Sequence, residues 1–152
     1  MKAWKDLDHG NKVKFVGFAI GARGAVPEAA LVSEWCSNGN LVQYLRRKPS
    51  CNRLPLLLDV ARGLTYLHDH DPVVVHCDLK PLNILITEAG HAKLCYFELS
   101  LIGDGLTTGY TSSGASFTLR YCAPEVVESN VKTTSSDIYS FACSCAMVSR
   151  CD

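Results

Sequence analysis

The segment His76–Ile86, HCDLKPLNILI, sets a carboxylate, an ammonium group and a carboxamide at Asp78, Lys80 and Asn83, between two apolar runs. Val73–Val75 on its upstream side and Ile84–Ile86 at its end read as short strands, so residues 76–83 are expected to form a polar loop between them. Ala92–Cys95 reads as a third strand, reached through a Glu88-Ala89-Gly90 turn. Beyond it stands the triplet Tyr96-Phe97-Glu98.

Upstream of this centre, Leu57, Val60, Ala61, Leu64 and Leu67 recur at three- and four-residue spacing, which predicts a long helix over Leu54–His70. Its opposite, polar face is assigned Asp59 and Arg62, and Asp71-Pro72 ends it. A shorter helix, LVQYLRR at residues 41–47, follows Asn40 as a candidate N-cap. Two β-rich runs, VKFVGFAI at 13–20 and ALVSEW at 30–35, are joined by GARGAVPE and predict a hairpin. Downstream, residues 99–120 hold many Gly, Ser and Thr and predict a long irregular connection. A last helix is expected over Ser136–Cys151, capped near Ser136 or Asp137. Its apolar residues Ile138, Phe141, Ala142, Cys145 and Val148 spread over more than one face, as in a helix buried on several sides. This order of elements is that of an α+β domain.

The composition suits one globular domain: 152 residues, 47% hydrophobic, with 15 basic and 15 acidic side chains. A net charge near zero gives no electrostatic reason to expect nucleic acid or an anionic membrane as partner. No apolar run approaches a membrane span, and the first residues lack the apolar core of a signal peptide, so the expected location is cytoplasmic or nuclear. The eight cysteines show no paired CxxC spacing, and most fall inside apolar patterns as small core side chains.

Several blocks, in order and spacing, resemble the eukaryotic protein kinases of the serine/threonine and tyrosine-kinase-like type. HGNKVKFVG at 9–17 is similar to the start of that family's fourth strand, Glu34-Trp35-Cys36 to its hinge, and Asn38-Gly39-Asn40-Leu41 to the start of the helix after the hinge. HCDLKPLNIL resembles its catalytic loop, TLRYCAPE at 118–125 its substrate-docking loop, and SDIYSFA at 136–142 the start of its central helix. The resemblance implies a partial protein-kinase-like fold over residues 1–152, with the last small-lobe strands and hinge at 9–35 and a truncated large lobe at 36–152. ATP and Mg²⁺ are the cofactors it implies. By the same resemblance Asp78 would orient and deprotonate a substrate hydroxyl, Lys80 would contact the γ-phosphate, and Asn83 would hold a metal ion. Glu34, Cys36 and Leu85 would line the adenine site, Thr118 would stand beside Asp78, and Asp137 would accept hydrogen bonds from the catalytic-loop backbone.

The departures carry equal weight. Tyr96 stands where the family's aspartate ligates Mg²⁺, and a neutral phenol is a poor ligand for a hard cation. Glu98 replaces a glycine, Cys77 replaces an arginine, and Phe97 alone of the triplet keeps the family's residue, expected to pack under His76 and against Phe15. No glycine-rich loop or strand lysine precedes His9, and the arginine that pairs with Glu125 is expected outside the chain, leaving a buried unpaired carboxylate. The expected function is a segment of a protein serine/threonine kinase domain with impaired phosphoryl transfer. The alternatives are a pseudokinase scaffold, with a protein partner over the last helix, and an active serine/threonine kinase represented by a partial sequence.

Overall fold

The computed structural model describes residues 5–23, 26–95, 101–102 and 119–150. The two β-rich runs form an antiparallel hairpin, β1 (Phe15–Arg23) with β2 (Val26–Ser33). It is longer than expected, because most of the GARGAVPE connection is itself strand: Gly21 pairs with Glu28 and Ala22 with Pro27. A hairpin has two open edges, where the missing N–H of Pro27 is tolerated. A register shift between Phe15 and Gly17 bends β1 near its base.

Helix α1 (Leu41–Arg47) begins where the sequence predicts. The Asn40 side chain accepts from the Gln43 N–H at 2.9 Å, and the Gln43 side chain accepts from the Asn40 N–H at 3.1 Å. Helix α2 (Leu54–His68) buries Leu56, Val60, Leu64 and Leu67 in the core. Asp59 departs from its predicted solvent face. Its carboxylate is buried, accepts from the Ala92 N–H at 3.0 Å and lies 3.2 Å from His91 Nδ1. An isolated backbone N–H outside the helix is the reason: the carboxylate supplies an acceptor that nothing in helical periodicity reveals. On the same face Gly63 lets α2 approach closely, since a Cβ there would stand 2.8 Å from the Asn11 carbonyl oxygen.

The three predicted short strands are present as β3 (Val74–Val75), β4 (Ile84–Ile86) and β5 (Ala92–Leu94), with β4 and β5 paired antiparallel. Gly90, at φ 85°, donates to the Thr87 carbonyl in the turn between them. Within the span expected to be irregular, β6 (Leu101–Ile102) pairs with β3, and the rest of 103–118 lies outside the described residues. A single-turn 3₁₀ segment (Leu119–Tyr121) and helix α3 (Pro124–Ser129) lead to α4 (Thr134–Arg150). The cap of α4 falls earlier than predicted. Thr133 and Ser136 exchange side-chain to backbone hydrogen bonds of 3.0 and 3.2 Å, which leaves Asp137 available to bind elsewhere.

One face of α4 is buried, along Asp137, Ser144 and Val148, and Arg53 caps its end by donating to the Val148 carbonyl at 3.0 Å. Val148 is therefore a core residue, whereas Ile138, Tyr139 and Ala142 are exposed, so among the described residues the helix is buried on one side and not on the several sides that its apolar spread predicts. Glu125 is exposed rather than a buried carboxylate. The core gathers α1, α2, β4, β5 and the end of α4 into one cluster with Val13 and Leu79. Of the described cysteines Cys36 and Cys95 are buried in it and the half-buried Cys51 packs against it; Cys77, Cys122, Cys143 and Cys145 are half-buried, and Cys151 lies outside the described residues.

Candidate active site

The loop between β3 and β4 is built around Asp137. This buried carboxylate accepts from the backbone N–H of His76 at 2.7 Å and of Cys77 at 2.9 Å, and lies 2.9 Å from His68 Nε2 at the end of α2. Cys77 is held at φ 69°, a left-handed conformation that costs a non-glycine residue about 1–2 kcal/mol. Two charge-assisted hydrogen bonds to adjacent N–H groups outweigh that cost. Asp78, the next residue, is half-buried at this bend.

His76 completes the support. Its ring is wholly buried, with Nε2 3.0 Å from the Cys95 carbonyl and Nδ1 3.3 Å from the Asp78 N–H. A carbonyl can only accept and an N–H only donate, so Nε2 carries the proton and Nδ1 is bare. The neutral ring agrees with its pKa, which burial drives below the ordinary 6.5 against the opposing pull of Asp137 and Asp78.

Within this frame the three predicted catalytic residues come together. Lys80 Nζ lies 3.0 and 2.8 Å from the two carboxylate oxygens of Asp78. The Asn83 carboxamide donates to the Asp78 backbone carbonyl and to its Oδ2, each at 2.7 Å. Asp78 is thereby fixed in orientation and partly neutralised. The 3₁₀ turn Pro81–Asn83 makes this possible by bringing Asn83 back over Asp78.

The three residues assigned to an adenine site fall around the segment after β2. The Cys36 thiol is buried, which raises its pKa, and its carbonyl accepts from the Gly39 N–H at 3.0 Å. Leu85 is half-buried on β4, across an isolated bridge from Asn40. The Glu34 carboxylate receives Lys93 Nζ at 2.7 and 2.9 Å and the Lys14 N–H at 2.7 Å. Desolvation pushes its pKa up, but the Lys93 and Lys14 hydrogen bonds together prevail and hold it below 4.5. Trp35, between them, is 89% exposed.

His68, Lys93 and Asp59 help to position these elements, and nothing in the sequence singles them out for it. Each is one polar residue in an amphipathic or alternating pattern, and only the tertiary partner distinguishes it. Tyr96, Phe97, Glu98 and Thr118 lie outside the described residues, and with them the expected packing of Phe97 against His76 and Phe15.

With this geometry in place, comparison with known proteins identifies the family. The model of the protein kinase domain matches residues 1–150. The chain is 39% identical over 142 residues to a probable serine/threonine-protein kinase, PBL6, of Arabidopsis thaliana, covering 88% of this chain and 32% of that protein. It is 42% identical over 122 residues to human receptor-interacting serine/threonine-protein kinase 3, covering 76% and 23% respectively. It is 36% identical over 147 residues to chitin elicitor receptor kinase 1 of Arabidopsis thaliana, covering 93% and 22%. This chain belongs to the protein kinase family, whose members generally use ATP and Mg²⁺. It spans about a third or less of the length of these relatives. Among the described residues no helix is long and apolar enough to cross a membrane.

Proposed function

We propose that this chain is a serine/threonine-type protein-kinase segment that keeps the catalytic-loop frame but transfers phosphate poorly or not at all. The observation that carries the reading is the donor set. A nucleotide-bound magnesium ion is normally neutralised by a carboxylate at the position of Tyr96, where a phenol supplies no charge. Asn83 can offer its remaining carboxamide oxygen, which is neutral, and Asp78 is already paired with Lys80. These residues do not fit the usual magnesium site. What remains is positioning: Asp78 held to accept a hydroxyl proton, Lys80 beside it for a phosphate oxygen, and Cys36 and Leu85 beside the segment expected to receive adenine.

The test is transfer of radiolabelled phosphate from ATP to the chain itself and to generic Ser/Thr substrates, with Asp78→Ala as control. The expected result is incorporation no higher than the control; incorporation abolished by Asp78→Ala overturns the reading. ATP with Mg²⁺ is likewise expected to raise the melting temperature little; a saturable shift worth about 2.7 kcal/mol, as ligand at about 100 times its Kd gives, would count against the reading.

A scaffold function is the second reading, and one observation favours it. Ile138 and Tyr139 on α4 are 52% and 43% exposed, an apolar surface that a protein partner would cover. A soluble cytoplasmic or nuclear setting is part of this proposal.

A further inference from the structure

A groove of about 370 Å³ runs along α2, lined by Leu58, Ala61, Arg62, Thr65 and Tyr66 of that helix and by His9. It shares no residue with the catalytic loop. Leu58 and Ala61 give it an apolar wall, with Leu58 46% exposed. The polar lining is decided by which atoms are already engaged. His9 stacks on Tyr66 with ring centroids 4.7 Å apart, and its Nδ1 accepts from the Asn11 N–H at 3.1 Å. The ring proton is therefore on Nε2, which is left to donate. The Tyr66 hydroxyl oxygen accepts from the Asp8 N–H at 2.9 Å, so its own proton is also left to donate. Arg62 is 67% exposed, and Asp59 reaches it only at 3.7 Å, beyond hydrogen-bond distance, while accepting from the Ala92 N–H at 3.0 Å. The groove thus combines donors from three side chains with an apolar wall, and no carboxylate lines it among the described residues.

We propose that this groove binds a small organic monocarboxylate, with the carboxylate on Arg62, His9 and Tyr66 and the apolar body against Leu58 and Ala61. A guanidinium group offers a planar fork of donors that matches a carboxylate in two hydrogen bonds, and an exposed arginine loses little solvation in making them. One cation balances one negative charge, whereas a phosphate ester, with its charge of about −1.5 to −2, would keep part of it uncompensated. The volume lies at the low end of the roughly 300–1,000 Å³ of ordinary ligand sites, which favours a small ligand. Two of the donors are already held, His9 by its stack and Tyr66 by Asp8, so little ordering is left for binding to impose.

The probe is naphthoate, titrated without nucleotide into methyl-labelled chain and followed by NMR at the Leu58 and Ala61 methyl signals. Its controls are naphthamide, which is neutral, and naphthyl phosphate. The expected result is saturable movement of those signals with a Kd on the order of 1 mM, ordinary for a ligand of that size. The amide should bind at least about fivefold more weakly, and the phosphate no more tightly than the carboxylate. Arg62→Gln should cost the carboxylate about fivefold at an unchanged melting temperature while leaving the amide's affinity as it was, which separates charge pairing from lost packing. If Arg62→Gln melts early, Tyr66→Phe, which keeps the ring and removes the hydroxyl donor, should cost about threefold. Equal binding of carboxylate and amide, tighter binding of the phosphate, absence of saturation, or variants that bind as the parent does would each overturn the proposal. Failure here would leave the radiolabel experiment untouched, and radiolabel incorporation would not rescue it.

Discussion

The catalytic loop and the β1–β2 hairpin are stabilised in opposite ways. The loop is short, polar and conformationally costly, and it is fixed by buried acceptors reached from far along the chain: Asp137 on its backbone, Cys95 on the His76 ring. The hairpin is long and β-rich, but forms a two-stranded sheet of its own. Val16, Phe18 and Ile20 alternate along β1 and are all exposed, Ile20 by 87%. Among the described residues it is tied down chiefly at its base, where Val13 donates to the Leu94 carbonyl at 2.8 Å and Glu34 meets Lys14 and Lys93, with Phe15 and Leu31 packed half-buried against the core. Good local propensity thus coexists with weak tertiary anchoring, and poor local propensity with strong anchoring. Tertiary hydrogen bonding decides which region is rigid.

The largest expected effect comes from removing the anchor. Asp137→Ala leaves two N–H groups without their acceptor and the left-handed Cys77 without its compensation, and should cost about 3–5 kcal/mol in urea unfolding. A loss under 1 kcal/mol would mean that water serves the loop equally well.

Gly63→Ala tests the close approach of α2 from the other side. Alanine is the better helix former, so an exposed position would gain up to about 1 kcal/mol. Here the new Cβ would meet the Asn11 carbonyl oxygen at 2.8 Å, and a net loss of about 1–3 kcal/mol is expected.

Acid should weaken the fold in two stages, the first at the anchored loop and the second at the base of the hairpin. His76 is neutral in the fold with its pKa below 6.5, so as pH falls through 6.5 the unfolded chain takes up the proton first and stability drops. Glu34, held below 4.5, adds a second loss as pH falls through that value. Unfolding curves at stepped pH check the order, and His76→Gln should flatten the first stage because its amide can still donate to the Cys95 carbonyl.

The smallest effect belongs to the hairpin. Ile20→Lys should change stability by no more than about 0.5 kcal/mol, since so exposed a side chain loses little burial. A loss above 1 kcal/mol would show that β1 is covered in solution and would remove the contrast.

The same contrast explains what is legible in the sequence. Helices α1 and α2, the three short strands and the loop between β3 and β4 follow from periodicity, capping and turn chemistry, because those signals are local. The family resemblance adds Asp137, whose role no local pattern reveals. Helical periodicity sends Asp59 to the solvent face because it sorts faces by hydropathy and cannot see the Ala92 N–H across the gap. Residue type places the start of α4 late because Asp137, a good capping residue, is used by the loop, while Thr133 and Ser136 do the capping. The hairpin reads as short because Gly21 and Pro27 look like punctuation, although a sheet with two open edges accepts both.

Amide hydrogen exchange at single-residue resolution separates an anchored loop from a loosely held hairpin in one experiment. The N–H groups of His76 and Cys77 are expected to exchange among the slowest in the chain, far slower than those of β1 from Gly17 to Ala22, and Asp137→Ala should accelerate the first set selectively. Comparable protection in the hairpin and the loop, or unchanged exchange at His76 and Cys77 in the variant, would contradict the assignment of rigidity to tertiary hydrogen bonding.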